Sequence, residues 1–271
     1  MLPVSFRPMH RLRNSRGPES DEPALEGFDR FELEGDAIGP AGDEITSLRP
    51  FGADVPGLML ASASGEPEPV RVPRQARELA SLGRRLDAVL LLRSYLADMP
   101  GDAAARALLA ELLDEGGESE AAVVELGRAL VAAVDPVPLL VQRGAILARS
   151  GRASEAERDL REAIGRRPDY AAGHFHLGVA LLRRGLGAEA GLALREALRW
   201  DPHNADATYY LGEALQAQGD LPGALTALEH AAALAPSNPR SYKLMGRLLD
   251  RMGRSDDARV MHRKAREASI P

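Results

Sequence analysis

From residue 69 onward, small and apolar residues return in register every 34 positions. Cuts at Pro69, Ala103, Val137, Ala171, Ala205 and Pro239 give units 69–102, 103–136, 137–170, 171–204, 205–238 and 239–271, which align without a gap. The eleventh position is Leu six times (Leu79, Leu113, Leu147, Leu181, Leu215, Leu249), and the fifteenth is Gly six times (Gly83, Gly117, Gly151, Gly185, Gly219, Gly253). The twentieth is Ala in every unit, from Ala88 to Ala258, and the eighth is Ala or Gly throughout. On either side of the fifteenth-position Gly the apolar residues recur at helical spacing, so each unit is predicted to be two helices joined by a turn that needs the conformational freedom of glycine.

The remaining columns explain how such hairpins assemble. Small residues at positions eight, twenty and twenty-seven let helix axes approach, and Leu at eleven and twenty-four fills the space left. Pro100, Pro168, Pro202 and Pro236 stop the second helix at position thirty-two. A hairpin of this size cannot bury its apolar face alone, so consecutive units must stack. The predicted fold is all-α: a right-handed α-solenoid of six helix-turn-helix repeats after a disordered tail over 1–68. In the second unit the proline arrives two residues late, at Pro136, and Pro138 intrudes on the next helix. A longer second helix and a kink in the stacking are expected there.

These residues resemble the tetratricopeptide repeat family over 203 of 271 positions; Leu177-Gly178 with Leu181, Gly185, Ala190, Leu194, Ala197 and Pro202 follows its pattern nearly position by position. The aromatic usual at the fourth position survives only as Tyr242, and His174 stands in that column as an expected core filler. The apolar seventh position becomes Gln75 and Arg143, which makes units one to three the less regular half, and Pro136, Pro138 and Arg143 together make the second-to-third junction the expected weakest interface. The resemblance implies a concave face lined by positions two, five, nine, twelve and thirteen of each first helix. Unit two offers Glu111, Asp114 and Glu115; the middle offers Val141, Phe175, Val179, Tyr209 and Glu213; unit six offers Arg240, Lys243, Arg247 and Arg251. The groove should run from an acidic patch across an apolar and aromatic middle to a basic end. The basic end can equally be the solvated cap that a solenoid requires. The Lys and Asn set with which one subclass of the family clamps chaperone C-terminal carboxylates is not present, since the ninth column reads Arg77, Glu111, Ala145, Val179, Glu213 and Arg247.

Charge and composition sharpen this picture. The chain carries 34 basic and 40 acidic residues, a net charge of -6, which disfavours nucleic acid as a partner held by bulk electrostatics. Residues 1–68 hold 8 Pro, 8 Gly, 13 acids and 6 Arg, the composition of a chain that cannot pay for a core. That tail also holds Phe6, Phe28, Phe31 and Phe51, four of the five Phe, and the run from Phe28 to Asp36 places apolar anchors beside acids. It is expected either to be a solvated linker or to occupy the groove of its own chain or a neighbour. No apolar run is long enough for a membrane span and the start lacks a signal-peptide core, so a cytoplasmic protein is expected.

Chemistry is sparse. There is no Cys. His174 and His176 lie two apart on a helix and face different ways, so they do not form a metal pair. No phosphate-binding loop exists, since Gly185-Leu-Gly187 is the repeat turn. No catalytic residue, cofactor or metal is expected. The function read from the sequence is a non-catalytic scaffold or adaptor that holds a protein or peptide segment in its groove. The alternative is an accessory subunit of an enzyme or secretion machine acting through its tail.

Overall fold

The computed structural model describes residues 67–269. Expectations for the N-terminal tail, including its disorder and its association with the groove, lie outside the described residues. Twelve helices follow one another: α1 (Glu68–Ser81), α2 (Arg85–Asp98), α3 (Ala103–Glu115), α4 (Ser119–Ala132), α5 (Val137–Arg149), α6 (Ala153–Arg166), α7 (Ala171–Arg183), α8 (Gly187–Trp200), α9 (Ala205–Ala217), α10 (Leu221–Leu234), α11 (Pro239–Arg251) and α12 (Ser255–Glu267). Odd-numbered helices are the first of each hairpin and even-numbered ones the second.

The two invariant columns meet in one hydrogen bond. In every unit the residue after the fifteenth-position Gly donates its N–H to the carbonyl of the eleventh-position Leu: Arg84 to Leu79 at 2.9 Å, Glu118 to Leu113 at 2.8 Å, Arg152 to Leu147 at 2.9 Å, Leu186 to Leu181 at 3.0 Å, Asp220 to Leu215 at 3.0 Å and Arg254 to Leu249 at 2.9 Å. This is the six-to-one closure of a helix C-terminus, and it requires a left-handed residue in between. All six glycines supply it, with φ between 73° and 84°.

The eighth-position Gly sets the closeness of the two helices within a hairpin. A Cβ on Gly178 would lie 2.5 Å from Cγ of Leu194, and one on Gly212 would lie 2.8 Å from Cγ of Leu228. At these two glycines a methyl group would force the leucine to move, so Leu194 and Leu228 pack on bare backbone and are fully buried, whereas units one and two carry Ala76 and Ala110 in the column.

The buried core shows why the units stack. A first cluster runs from α1 to α4 and is completed by Leu139 and Ile146 of α5. A second runs from α5 to α8 and takes Ala207 and Ala214 of α9; a third joins α9 to α12. The first two clusters thus close only on the first helix of the following unit, so those hairpins depend on their successors.

At the second-to-third junction the expected longer helix is not found. Helix α4 ends at Ala132 after 14 residues, the length of α6 and α8, and is not extended. Ala133 turns to an extended conformation, and the Asp135 carboxylate accepts the Val137 N–H at 3.1 Å, starting α5 with Pro138 in its first turn. Proline in the first turn of a helix lacks only an N–H that would have no partner there, so Pro138 begins the helix without disturbing it. Arg143 is also accommodated. Its guanidinium makes a two-pronged contact with Asp159 of α6, at 2.6 and 2.8 Å, so the polar residue in an apolar column is neutralised within its own hairpin.

Candidate functional site

The aromatic residues of the later units form one array across three successive first helices. Phe175 of α7 is half-buried, with its ring centroid 4.8 Å from that of His176 and 5.8 Å from that of Tyr210 on α9. Tyr210 meets Tyr209 edge-on at 5.4 Å. The Arg240 guanidinium of α11 then lies 4.3 Å above the Tyr209 ring and 5.3 Å from that of Tyr210, a cation held against two π faces. Asp206 stands 3.4 Å from the same guanidinium, and the Tyr209 hydroxyl donates to Glu213 at 2.6 Å.

The electrostatics of the array follow from burial. Burial pushes the Tyr209 hydroxyl pKa up, reinforced by the Glu213 carboxylate that it bonds. The neighbouring His176 imidazole is pushed down to about 4, mainly by burial and then by the positive charge of Arg149, so it is neutral at pH 7.

The fifth column departs from the expectation that it faces outward. Val141 is only 5% exposed and Tyr209 7%, and both belong to core clusters. A Cβ on Gly173 would lie 3.7 Å from Cγ2 of Val141, which places Val141 in the seam between α5 and α7. Tyr209 occupies the same seam between α9 and α11, under Arg240. A fifth-position side chain is therefore covered, wholly or in part, by the first helix of the next unit where one follows. Lys243, last in the column, has no successor among the described residues and is exposed. Phe175 is intermediate: it leans on Tyr210 yet keeps part of its surface open. Val179 and Glu213, one turn on, are half-buried, while Arg240, Lys243, Arg247 and Arg251 are exposed.

At the other end, Glu111 and Glu115 of α3 line a depression with Arg77, Ala80, Ser81, Leu108 and Leu112. Asp114 is already engaged, accepting from Arg149 of α5 and from Ser119 at 3.0 Å. Among the expected site residues that remain accessible, the order is acidic on α3, apolar and aromatic on α7, and basic on α11.

Several polar contacts were not legible in the sequence. The Tyr95 hydroxyl donates at 2.8 Å to Asp102, whose other oxygen caps α3 by accepting the Ala105 N–H. Burial and that carboxylate push the Tyr95 pKa up to about 12. Glu157, 7% exposed on α6, receives both Arg161 and Arg184. His174 is not a core filler: half-buried, it donates from Nε2 to the Pro168 carbonyl at 2.8 Å and ties α7 to the turn before it. The periodic columns report which positions are apolar, and such partners sit in columns that vary from unit to unit.

Among the described residues no group of three or more His, Asp or Glu side chains is placed to hold a metal ion, and no helix is long and apolar enough to cross a membrane.

One tetratricopeptide repeat model matches residues 74–138 and 142–202, and a second matches 187–248. The chain belongs to the tetratricopeptide repeat family. Many solved structures share the fold of this repeat protein, three of them as follows. PilF of Pseudomonas aeruginosa is 22% identical with a TM-score of 0.64, the match covering 74% of this chain and 91% of that one. PilW, described as a widely conserved type IV pilus biogenesis factor, is 17% identical with a TM-score of 0.66, covering 71% and 90%. MamA 41-end from Desulfovibrio magneticus RS-1 is 22% identical with a TM-score of 0.55, covering 61% and 94%. At these identities the likeness is one of fold alone. No curated protein matches the chain.

Proposed function

We propose that this repeat protein is a non-catalytic interaction scaffold that holds a segment of a partner protein against the face formed by its first helices. The observation that carries this reading is the aromatic and cationic array from Phe175 through Tyr210 and Tyr209 to Arg240, which spans three units and ends in an open Phe. A partly exposed aromatic on a rigid, fully packed support is a low-entropy anchor for a partner side chain, and such aromatics dominate interface energetics. Tyr209, Tyr210 and Arg240 serve as that support, because their contacts fix the ring beneath Phe175 before any partner arrives. Val179 extends the apolar surface by one helical turn.

The test is partner retention by the full chain carrying a photo-crosslinker at Val179. The wild-type background yields a crosslinked partner, and Phe175→Ala loses it. Leu192→Ser on α8, a second-helix position 64% exposed, keeps it. Retention in Phe175→Ala together with loss in Leu192→Ser would move the site to the second helices and overturn the reading.

A further inference from the structure

Lys243, Arg247 and Arg251 stand four residues apart along α11, and all three are exposed. Among the described residues none of them has a hydrogen bond or an ion pair. Arg106, Arg143, Arg152 and Arg184 each meet a carboxylate, while single cations such as Arg93, Arg183 and Arg195 also stand without one; what sets α11 apart among the described helices is three such cations in a row at helical spacing. The nearby acids are already engaged: Asp206 with Arg240, Glu213 with the Tyr209 hydroxyl, Asp250 with His262 at 3.0 Å.

Folding does not explain the stripe. Like charges at i and i+4 destabilise a helix, so three in a row cost the free chain stability. A solvated cap needs polarity but not a single sign of charge. Helix α12 and its cap, at the same end of the solenoid, mix the two signs: Arg254 pairs with Asp257, Arg259 with Asp256 and Arg263 with Glu267, and only Lys264 and Arg266 stand without a partner among the described residues. A cap can thus be built from mixed charges, and it does not require the single-signed stripe of α11.

We infer that α11 is a docking ridge for an acidic segment of a partner protein, bound in extended conformation with Asp or Glu at alternate positions. This rests on the first-helix face being the binding surface and names the chemistry of what binds there. Four helical residues rise about 6 Å along the axis, and alternate side chains of an extended chain lie about 6.6 Å apart on one face. Carboxylates at every second position therefore meet Lys243, Arg247 and Arg251 in register. Beside Lys243, an open depression between α11 and α12, lined also by His262 and Arg266, adds a further cation where the segment would run off the ridge. Toward Tyr209 the stacked Arg240 continues the positive surface to the Phe175 anchor. A nucleic acid fits less well: the three cations lie along one helix with a spacing of about 6 Å that matches alternate residues of an extended peptide, and no second helix offers a parallel row for a phosphate backbone among the described residues.

The experiment uses the full chain and fluorescence anisotropy with three probes: a fluorescein-labelled peptide in which Glu alternates with Ser, a peptide of the same composition with its Glu in one block, and an oligothymidylate of equal charge. The alternating peptide is expected to bind tightest, with an affinity that falls as salt rises. Combined replacement K243A, R247A and R251A should weaken it at least tenfold, and Arg247→Gln alone about threefold. Arg158→Ala, an exposed cation on α6, should leave it unchanged. Helicity by circular dichroism checks the fold, and Arg247→Gln carries the result if the triple variant does not fold. Equal affinity in Arg247→Gln and wild type, no binding of the alternating peptide at low salt, or equal binding of the block peptide overturns the proposal. Tighter binding of the oligothymidylate would assign the ridge to nucleic acid and overturn it as well. If α11 variants retain a partner that Phe175→Ala loses, the ridge fails while the scaffold reading stands.

Discussion

Tyr209 and Phe175 share a repeat position, yet the following helix gives them different work. Tyr209 is covered by α11 and bonded to Glu213, so Tyr209→Ala removes a buried aromatic and should cost about 3 to 5 kcal/mol in urea denaturation. Phe175→Ala, at a half-open site, should cost about 1 kcal/mol and act mainly on partner binding. Equal losses would show that both are core residues. His176 gives the fold a pH dependence. Its folded pKa, about 4, lies below the ordinary value of 6.5, so the unfolded chain takes up the proton first on acidification. Its contribution to stability is complete above pH 6.5, falls as pH drops toward 4 and is flat below that. Over that window the loss is of order 3 kcal/mol. In His176→Gln, thermal melts between pH 6.5 and 4.5 should lose most of this slope; an unchanged slope would assign it to carboxylates.

At the scale of the element, much of the architecture was readable because the invariant columns do local jobs. Leu at eleven and Gly at fifteen are the two ends of one hydrogen bond, so a turn was visible in sequence wherever both occurred. Gly178 tests the packing column. Gly178→Ala places a methyl 2.5 Å from Leu194 and should destabilise by about 1 to 3 kcal/mol, although Ala is the better helix former. A stabilised variant would refute the close-approach explanation. Asn204, whose side chain accepts the Ala207 N–H at 2.8 Å, should cost about 1 kcal/mol on replacement by Ala, measured in the same denaturation. What misled at this scale was the Asp135 to Pro138 junction. Prolines mark where a helix cannot continue, but the hydrogen bond that the Val137 N–H donates to Asp135 decides where the next one begins, and α4 kept its ordinary length.

Across the whole molecule, a column address does not reveal what covers a side chain. Val141, Phe175, Tyr209 and Lys243 are four readings of position five, going from buried seam to half-open anchor to exposed end as the covering helix changes. The sequence therefore showed which residues line successive first helices and left open which of them a partner can touch. It also named the cations of α11 without showing that they lack partners, because pairing depends on contacts such as that of His262 with Asp250, twelve residues apart across a turn. The solenoid resolves both points through stacking: a following first helix covers the fifth column wholly or in part, and the last described unit exposes it. The central claim, that the first helices form the binding face, is tested most directly by hydrogen exchange of the full chain with and without its crosslinked partner. New protection confined to α7, α9 and α11 is the predicted result. Protection of α8, α10 and α12 with the first helices unchanged would contradict it.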